Sequence, residues 1–369
     1  MRVLVATGLY PPEIGGPATY AALLEDKLAS RGITPVVLPF RGVRAYPRGI
    51  RHLKYFWTVF RAAQHADVVL ALDPFSVGVP ARLAALLRRK PFVIKIVGDY
   101  AWEQARQQFG FEGTLESFQD ARVRLVPTIM RVVERVVART AHAVVVPSEY
   151  LAGIIRLWGV MPSRLSVVYN GVSIADVGSR DIIRGMLHFS GRLIISVGRL
   201  VPWKGFEAVI RVFARLRKKD ESLTLFIVGS GPQSDALERL AKRHGVSRSV
   251  IFAGAVDHEA LLRYIKASDV FVLNSSYEGF SHLLLETMAV GTPIVTTRVG
   301  GNPELIQHAV NGFLIEPNDV RALAEKIQLI LEDAPLRARM KEAGEATVRS
   351  FTDDRAVDGM AAVLRAVCA

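Results

Sequence analysis

Residues 275–295 read Ser-Ser-Tyr-Glu-Gly-Phe-Ser-His-Leu-Leu-Leu-Glu-Thr-Met-Ala-Val-Gly-Thr-Pro-Ile-Val. They follow Val270-Phe271-Val272-Leu273, a short apolar run that reads as a buried parallel strand. The Ala/Leu/Met-rich part reads as a helix that stops at Gly291. A strand therefore ends, a Gly-bearing loop follows, and a helix starts between Glu278 and Glu286. In open α/β sheets, ligands bind at such carboxyl-end junctions. Helix N-terminal amides there favour an anionic group, and a carboxylate on each side can hold sugar or ribose hydroxyls. The competing reading makes Glu278 a helix cap and Glu286 a solvated helix residue.

The chain has 369 residues, more than one hydrophobic core usually serves, which predicts two domains. Half of its residues are hydrophobic, enough for two cores. No window reaches the ~18 uninterrupted apolar residues of a membrane-spanning helix. The N-terminus, Met1 to Gly8, reads as the first strand of the fold and not as a secretory signal. Cys368 is the single cysteine, which excludes an internal disulfide framework and Cys-based zinc sites. The expectation is a soluble cytoplasmic protein.

The net charge of +12 is concentrated in the first half. Residues 1–175 hold 22 Lys/Arg against 12 Asp/Glu, and residues 176–369 hold 25 against 23. From Lys27 to Ala66 there is no acid, but there are Lys27, Arg31, Arg41, Arg44, Arg48, Arg51, Lys54 and Arg61. In 51–61 these bases alternate with large apolar residues, a pattern suited to an anionic membrane surface. An anionic acceptor or an ordinary core helix with a cationic outer face fits the same residues, and nucleic acid is not expected.

Short apolar runs alternate with longer periodic segments, the signature of a parallel α/β sheet. Strands are predicted at 2–6, 34–38, 67–72, 92–97, 143–147 and 165–168, with helices at 16–30, 50–64, 78–88 and 126–140. Residues 173–191 are weakly periodic and suit an interdomain link. A second series has strands at 193–197, 223–228, 250–253, 270–273, 293–296 and 313–315. Its helices are predicted at 205–219, 232–244, 257–267, 282–290, 302–308 and 319–332. A last helix opens at 351–354 with Thr352 as N-cap. The reading is two doubly wound, Rossmann-like domains, 1–175 and 176–350, facing a cleft, with 351–369 a helix packing back toward the first.

Several strand-end loops carry chemistry. Gly15-Gly16 permits close backbone approach by a ligand, or forms a helix-entry turn with none. Ser196 to Glu207 places Arg199 and Lys204 in one loop, where a guanidinium fork and an ammonium can converge on a diphosphate. Val228-Gly229-Ser230-Gly231-Pro232 is half of a dinucleotide fingerprint, and Gly300-Gly301-Asn302-Pro303-Glu304 supplies another flexible turn.

Taken in order, Gly15-Gly16, Val197-Gly198-Arg199-Leu200…Lys204-Gly205, Val228 to Pro232, Glu278-x7-Glu286 and Gly300-Gly301-x-x-Glu304 resemble the GT4 family. These are retaining, GT-B-fold nucleotide-sugar glycosyltransferases, and the resemblance spans residue 1 to about 350. It implies that Arg199 and Lys204 hold the donor diphosphate and stabilise it as leaving group. It implies that Glu278 binds hydroxyls of the transferred sugar and Glu286 those of the ribose. Backbone of Gly198, Gly229, Phe280, Ser281, His282 and Leu283 would meet the donor, and Gly16 would reach the diphosphate when the cleft closes. No metal and no cofactor are implied beyond a UDP- or GDP-sugar. The partners implied are that donor and a carbohydrate or lipid-linked acceptor; the basic 27–66 run points to a lipid-linked acceptor and to a peripheral place at the inner face of the cell membrane.

On the acceptor side, Gly15, Tyr20, Asp99 and Asn170 are the candidates. Many relatives carry a His where this chain has Gly98-Asp99-Tyr100, so Asp99 is read as positioning or deprotonating a hydroxyl, or else as a turn residue. Asn170-Gly171-Val172 is followed by Ser173 where relatives often have Asp. Three rivals stand beside the transferase: a nucleotide-sugar or glycan binding protein without turnover, a GT-B nucleotide-sugar epimerase, and a nicotinamide dehydrogenase lacking its full fingerprint.

Overall fold

The computed structural model describes residues 1–13, 15–47, 49–173, 176–187 and 191–369. It divides into two compact units, Met1–Gly171 with Asp353–Ala369, and Val172–Thr352.

The first unit is built on six parallel strands, β1 (Arg2–Thr7), β2 (Thr34–Pro39), β3 (Val68–Ala71), β4 (Phe92–Lys95), β5 (Ala143–Val146) and β6 (Leu165–Val167). Their order is β2-β1-β3-β4-β5-β6. β3, β4 and β5 are buried along their whole length, which is why they read as unbroken Val/Leu/Ile/Ala runs. The helices are α1 (Gly16–Lys27), α2 (Ile50–Ala63), α3 (Gly78–Leu87), α4 (Tyr100–Gln108), α5 (Leu115–Asp120), α6 (Leu125–Arg139) and α7 (Glu149–Leu157).

In the second unit come α8 (Arg180–Met186), β7 (Leu193–Val197), α9 (Phe206–Arg217), β8 (Thr224–Val228), α10 (Ser234–Arg243) and β9 (Val250–Gly254). There follow α11 (His258–Ala267), β10 (Val270–Leu273), α12 (His282–Ala289), β11 (Ile294–Thr297), α13 (Asn302–Leu305), β12 (Phe313–Ile315), α14 (Val320–Glu332) and α15 (Ala334–Val348). The parallel order is β12-β11-β10-β7-β8-β9, so the strand order reverses between β7 and β10. Loops leaving those two strands diverge to opposite sides and open a crevice at the carboxyl ends.

The final helix, α16 (Asp353–Ala366), belongs to the first unit. Val357, Met360, Ala361 and Leu364 join Tyr20, Leu24, Val145 and Val168 in one core. Asp354 pairs with Lys27 (3.3 Å) and Arg31 (2.9 Å), and Asp358 with Arg31 (2.9 Å).

Several expectations need correction. The weakly periodic 173–191 contains α8, which packs on α11 inside the second unit; its residues 174–175 and 188–190 lie outside the described residues. The helix at 302–308 ends at Leu305, because Ile306 turns extended and Asn311 Oδ1 takes the amide of Gln307 (2.8 Å). α15 carries its buried face on Leu336, Met340 and Gly344, too sparse an apolar stripe to stand out.

The acceptor-side candidates are placed differently from the reading above. Tyr20 is core, 4% exposed. Its ring centroid lies 3.4 Å from the ammonium of Lys95, which donates to Asn170 Oδ1 at 2.8 Å. Burial drives the Lys95 pKa well below the usual lysine value. Tyr20 and Asn170 thus partner the buried amine of Lys95 instead of meeting an acceptor. Asp99 is 1% exposed and caps α4, accepting from the Trp102 amide (2.7 Å) and from Gln119 Nε2 (3.1 Å). It is a helix cap, not a group facing a hydroxyl. Glu134 is buried beside it and accepts from the amides of Tyr100 (3.0 Å) and Ala101 (3.1 Å). Burial first, then the charge of Asp99, raises the Glu134 carboxyl well above its ordinary range.

Candidate active site

The second unit's site is made where β7, β8, β10 and β11 end. Beyond β7 the chain is tied to the loop after β8: the Gly198 amide donates to Val228 O (3.0 Å) and the Leu200 amide to Ser230 O (3.0 Å). Gly229 has φ +133°, and a Cβ there would meet Gly198 O at 2.0 Å. Gly229 is therefore required for the two backbones to touch, whereas a Cβ on Gly198 would meet only side chains, and that position is a glycine for its φ of +150°. The ligand-approach reading is not needed to explain them.

The loop after β10 is tied on its other flank. Ser276 N donates to Trp203 O (2.7 Å) and Asn274 Nδ2 to Gly205 O (3.3 Å). Thr297 Oγ1 donates to Ser275 O (2.6 Å), and Gly301 N to Glu278 O (3.0 Å). Gly300 has φ +54°, and its Cβ would fall 1.8 Å from Glu278 O. The loops after β7 and β11 thus hold the loop that carries Glu278 in place.

Within this frame Lys204 Nζ meets Glu278 Oε1 at 2.5 Å, and Ser275 Oγ donates to the same oxygen at 2.6 Å. The two side chains are only 17% and 10% exposed. Arg199, exposed, has its guanidinium 5.4 Å from the Trp203 ring centroid. Trp203 is buried in the one-turn helix that delivers Lys204. The cap reading of Glu278 fails here, because Ser281 caps α12, its Oγ accepting from the Leu284 amide at 3.4 Å. His282 and Leu283 open α12 at its N-terminal end, on the edge where Glu278 lies. Phe280 turns its ring to Phe351 (5.8 Å), so what it can offer a ligand is backbone.

Glu286, one turn into α12, is 14% exposed and meets His258 Nε2 at 2.9 Å. That hydrogen bond raises the His258 pKa above its ordinary value, with the charge of Glu286 adding to it and burial opposing. His258 escaped sequence reading. Its signal is the preceding Asp257, which N-caps α11 and so puts His258 at a strand-end helix start. The structure brings Arg199, Lys204, Glu278 and the α12 start to one edge.

The first unit has its own cavity, about 330 Å³, beyond the ends of β1 and β3. Gly8, Pro17, Arg44, Asp73, Ser76 and Tyr100 are among its lining residues. Asp73 is the second residue missed: its carboxylate accepts the amides of Phe75 (3.0 Å), Ser76 (2.6 Å) and Val77 (3.3 Å), while burial raises its pKa. Arg44 pairs with Glu13 and donates to Gly8 O (2.9 Å). Gly15 N-caps α1 beside this cavity, its carbonyl accepting from Ala18 (2.9 Å) and Thr19 (3.1 Å), and Gly16 starts the helix.

The acid-free run 27–66 does not make one patch. Lys27 and Arg31 serve α16, Arg44 and Arg51 line the cavity, and Lys54 sits over the Tyr46 ring at 3.6 Å. Arg48 lies outside the described residues. No helix among the described residues is long and apolar enough to cross a membrane.

Sequence models of two domains match this chain: a glycosyl transferase 4-like domain over residues 2–171 and glycosyl transferases group 1 over 187–347. A D-inositol 3-phosphate glycosyltransferase of Acidothermus cellulolyticus is 30% identical, covering 96% of this chain and 86% of that protein. An uncharacterized glycosyltransferase of Methanocaldococcus jannaschii is 27% identical over 90% of each chain. The crystal structure of Anabaena HepE with UDP and glucose superposes with a TM-score of 0.78 at 20% identity, covering 99% of both chains. The chain belongs to the group 1, GT4-like glycosyltransferases and has their GT-B fold.

Proposed function

We propose that the enzyme moves a hexose, with retained anomeric configuration, from a UDP- or GDP-sugar to a carbohydrate or lipid-linked acceptor, without a metal. The observation that carries this is the Lys204–Glu278 pair beside Arg199 and the start of α12. Arg199 and Lys204 neutralise the diphosphate as its charge grows on departure. Glu278, already fixed by Lys204 and Ser275, accepts hydroxyls of the transferred sugar. Glu286, steadied by His258, accepts the ribose hydroxyls. The departing phosphate oxygen takes the acceptor's proton while the hydroxyl attacks the same face of an oxocarbenium-like centre.

Acceptor choice is assigned to the cavity of Arg44, Asp73 and Tyr100. A lipid-linked acceptor would place the enzyme peripherally at the inner face of the cell membrane. The uridine alternative is favoured by the bound UDP of the fold-mate from Anabaena.

The test is a thermal-shift series with UDP, GDP, ADP and dTDP on the wild type and Glu286→Ala, since ligand binding to the native state raises the melting temperature. One nucleotide should shift the wild type and not the variant. No shift with any of the four would overturn the donor assignment. Sugar release from the matching nucleotide-sugar then separates a transferase from a binder without turnover.

A further inference from the structure

A second cavity, about 420 Å³, lies at the other end of the first sheet, where the chain enters β4, β5 and β6. Arg82, Arg89, Lys90, His142 and Arg164 line it with Leu86, and no carboxylate does. The cations are held by neutral groups. Arg82 Nε donates to Thr140 Oγ1 (3.1 Å), and Arg164 donates to the Ala141 carbonyl (3.5 Å). His142 Nδ1 accepts the Phe92 amide (3.0 Å), leaving Nε2 as the ring's donor. Among the described residues none of Arg82, Arg89, Lys90 and Arg164 pairs with an acid. Such a concentration of unneutralised charge around a recess suits a phosphate.

The helices flanking the recess turn apolar side chains outward. On α3, Leu83, Leu86 and Leu87 are each at least 50% exposed. On α6, Leu125, Ile129, Val132 and Val136 are too, and their 4-3-4 spacing lines them along one face. The two helices pack side by side, and Arg82 links α3 to the end of α6 through Thr140. Residues 78–90 and 125–139 contain a single acid, Glu134, and it is buried.

Both features have one common partner. Aliphatic side chains at the acyl boundary with cations at the phosphates describe a helix pair on an anionic bilayer. A second copy of the chain would set cations against cations, and a nucleic acid leaves the leucines without a role. We infer that the cavity binds the phosphate of an anionic phospholipid headgroup, with α3 and α6 resting on the bilayer around it. This refines the membrane part of the function proposed above and is independent of its transfer chemistry.

The experiment is co-sedimentation of the full-length protein with vesicles of equal parts phosphatidylglycerol and phosphatidylcholine, and with phosphatidylcholine alone. Arg89→Gln/Lys90→Gln should bind the anionic vesicles roughly thirtyfold more weakly, the loss expected for two cations near a charged surface. Leu87→Ser/Ile129→Ser should also bind vesicles weakly, yet keep the thermal shift given by glycerol 3-phosphate, which the cavity variant loses. Arg239→Gln/Lys242→Gln, on exposed α10 positions of the other unit, should change little. All variants should keep the nucleotide shift, which shows that they fold and separates this result from failure of the donor reading. Equal binding to neutral vesicles would overturn the inference. So would equal losses in the cavity and α10 variants, a glycerol 3-phosphate response without vesicle binding, or self-association abolished by Leu87→Ser/Ile129→Ser.

Discussion

Lys204 and Glu278 stand 74 residues apart in the chain and form an ion pair of 2.5 Å, in which Ser275 donates to the same carboxylate oxygen. Each charge is largely withdrawn from water, so each depends on the other for compensation. Removing Lys204 should therefore act on stability as well as on rate. For Lys204→Ala we expect a loss of about 1–3 kcal/mol in urea unfolding, the cost of a buried polar group left unpaired. Turnover should fall about 10²–10³-fold, as for loss of one oxyanion-stabilising donor. A variant with wild-type initial rates would remove Lys204 from the leaving-group role. Arg199→Ala, exposed and bonded elsewhere in part, should lose turnover with an unchanged melting temperature.

His258 and Glu286 make a pH-dependent contact. The raised His258 pKa means its contribution to stability is complete below about pH 6.5, the unfolded value, and is lost as pH rises through the higher folded value. His258→Ala should therefore flatten the stability-versus-pH curve across that window. It should also weaken nucleotide binding by roughly tenfold, one hydrogen bond's worth. Calorimetric titration at two pH values reads both effects, and identical affinities would dissociate His258 from the site.

Glu134 gives a second, opposite-looking case with the same sign. Its carboxyl is raised by burial and by Asp99, so the native state keeps a proton that the unfolded chain releases. Stability from this pair is complete below the ordinary carboxyl range and is lost as pH climbs through the raised value. Glu134→Gln should lose less stability than the wild type as pH rises from the ordinary carboxyl range through the raised value. Parallel unfolding curves for the two proteins would show that Glu134 is ionised in the fold.

Gly300→Ala tests the frame around Glu278. Its Cβ would overlap Glu278 O, at a positive φ that alanine tolerates poorly. Overpacking plus backbone strain should cost about 2–4 kcal/mol. The nucleotide-induced thermal shift should shrink, since Glu278 and the start of α12 must move together. An unshifted response would mean that the loop repacks without disturbing the site.

Much of this architecture was legible in the chain. Unbroken apolar runs such as Val68–Ala71 mark strands buried on both faces, and their alternation with amphipathic stretches allows little besides a parallel α/β sheet. Arg199, Lys204, Glu278 and Glu286 were legible because strand-end loops and helix starts have local signatures. Tyr20, Asn170 and Asp99 misled. Their types suit an acceptor site, but whether a polar side chain points outward depends on neighbours distant in sequence. Lys95 claims Tyr20 and Asn170, and the amide of Trp102 claims Asp99.

Local pattern determined the elements, their order and the loops that carry charge, because periodicity and punctuation act over a few residues. Tertiary structure alone decided the partners. It set Lys204 against Glu278, joined His258 to Glu286, scattered the basic run 27–66 over three places, and turned the leucines of α3 outward. Coulomb attraction, desolvation and hydrogen bonding are fixed by distances in space, and those distances come only from the way the strands pair.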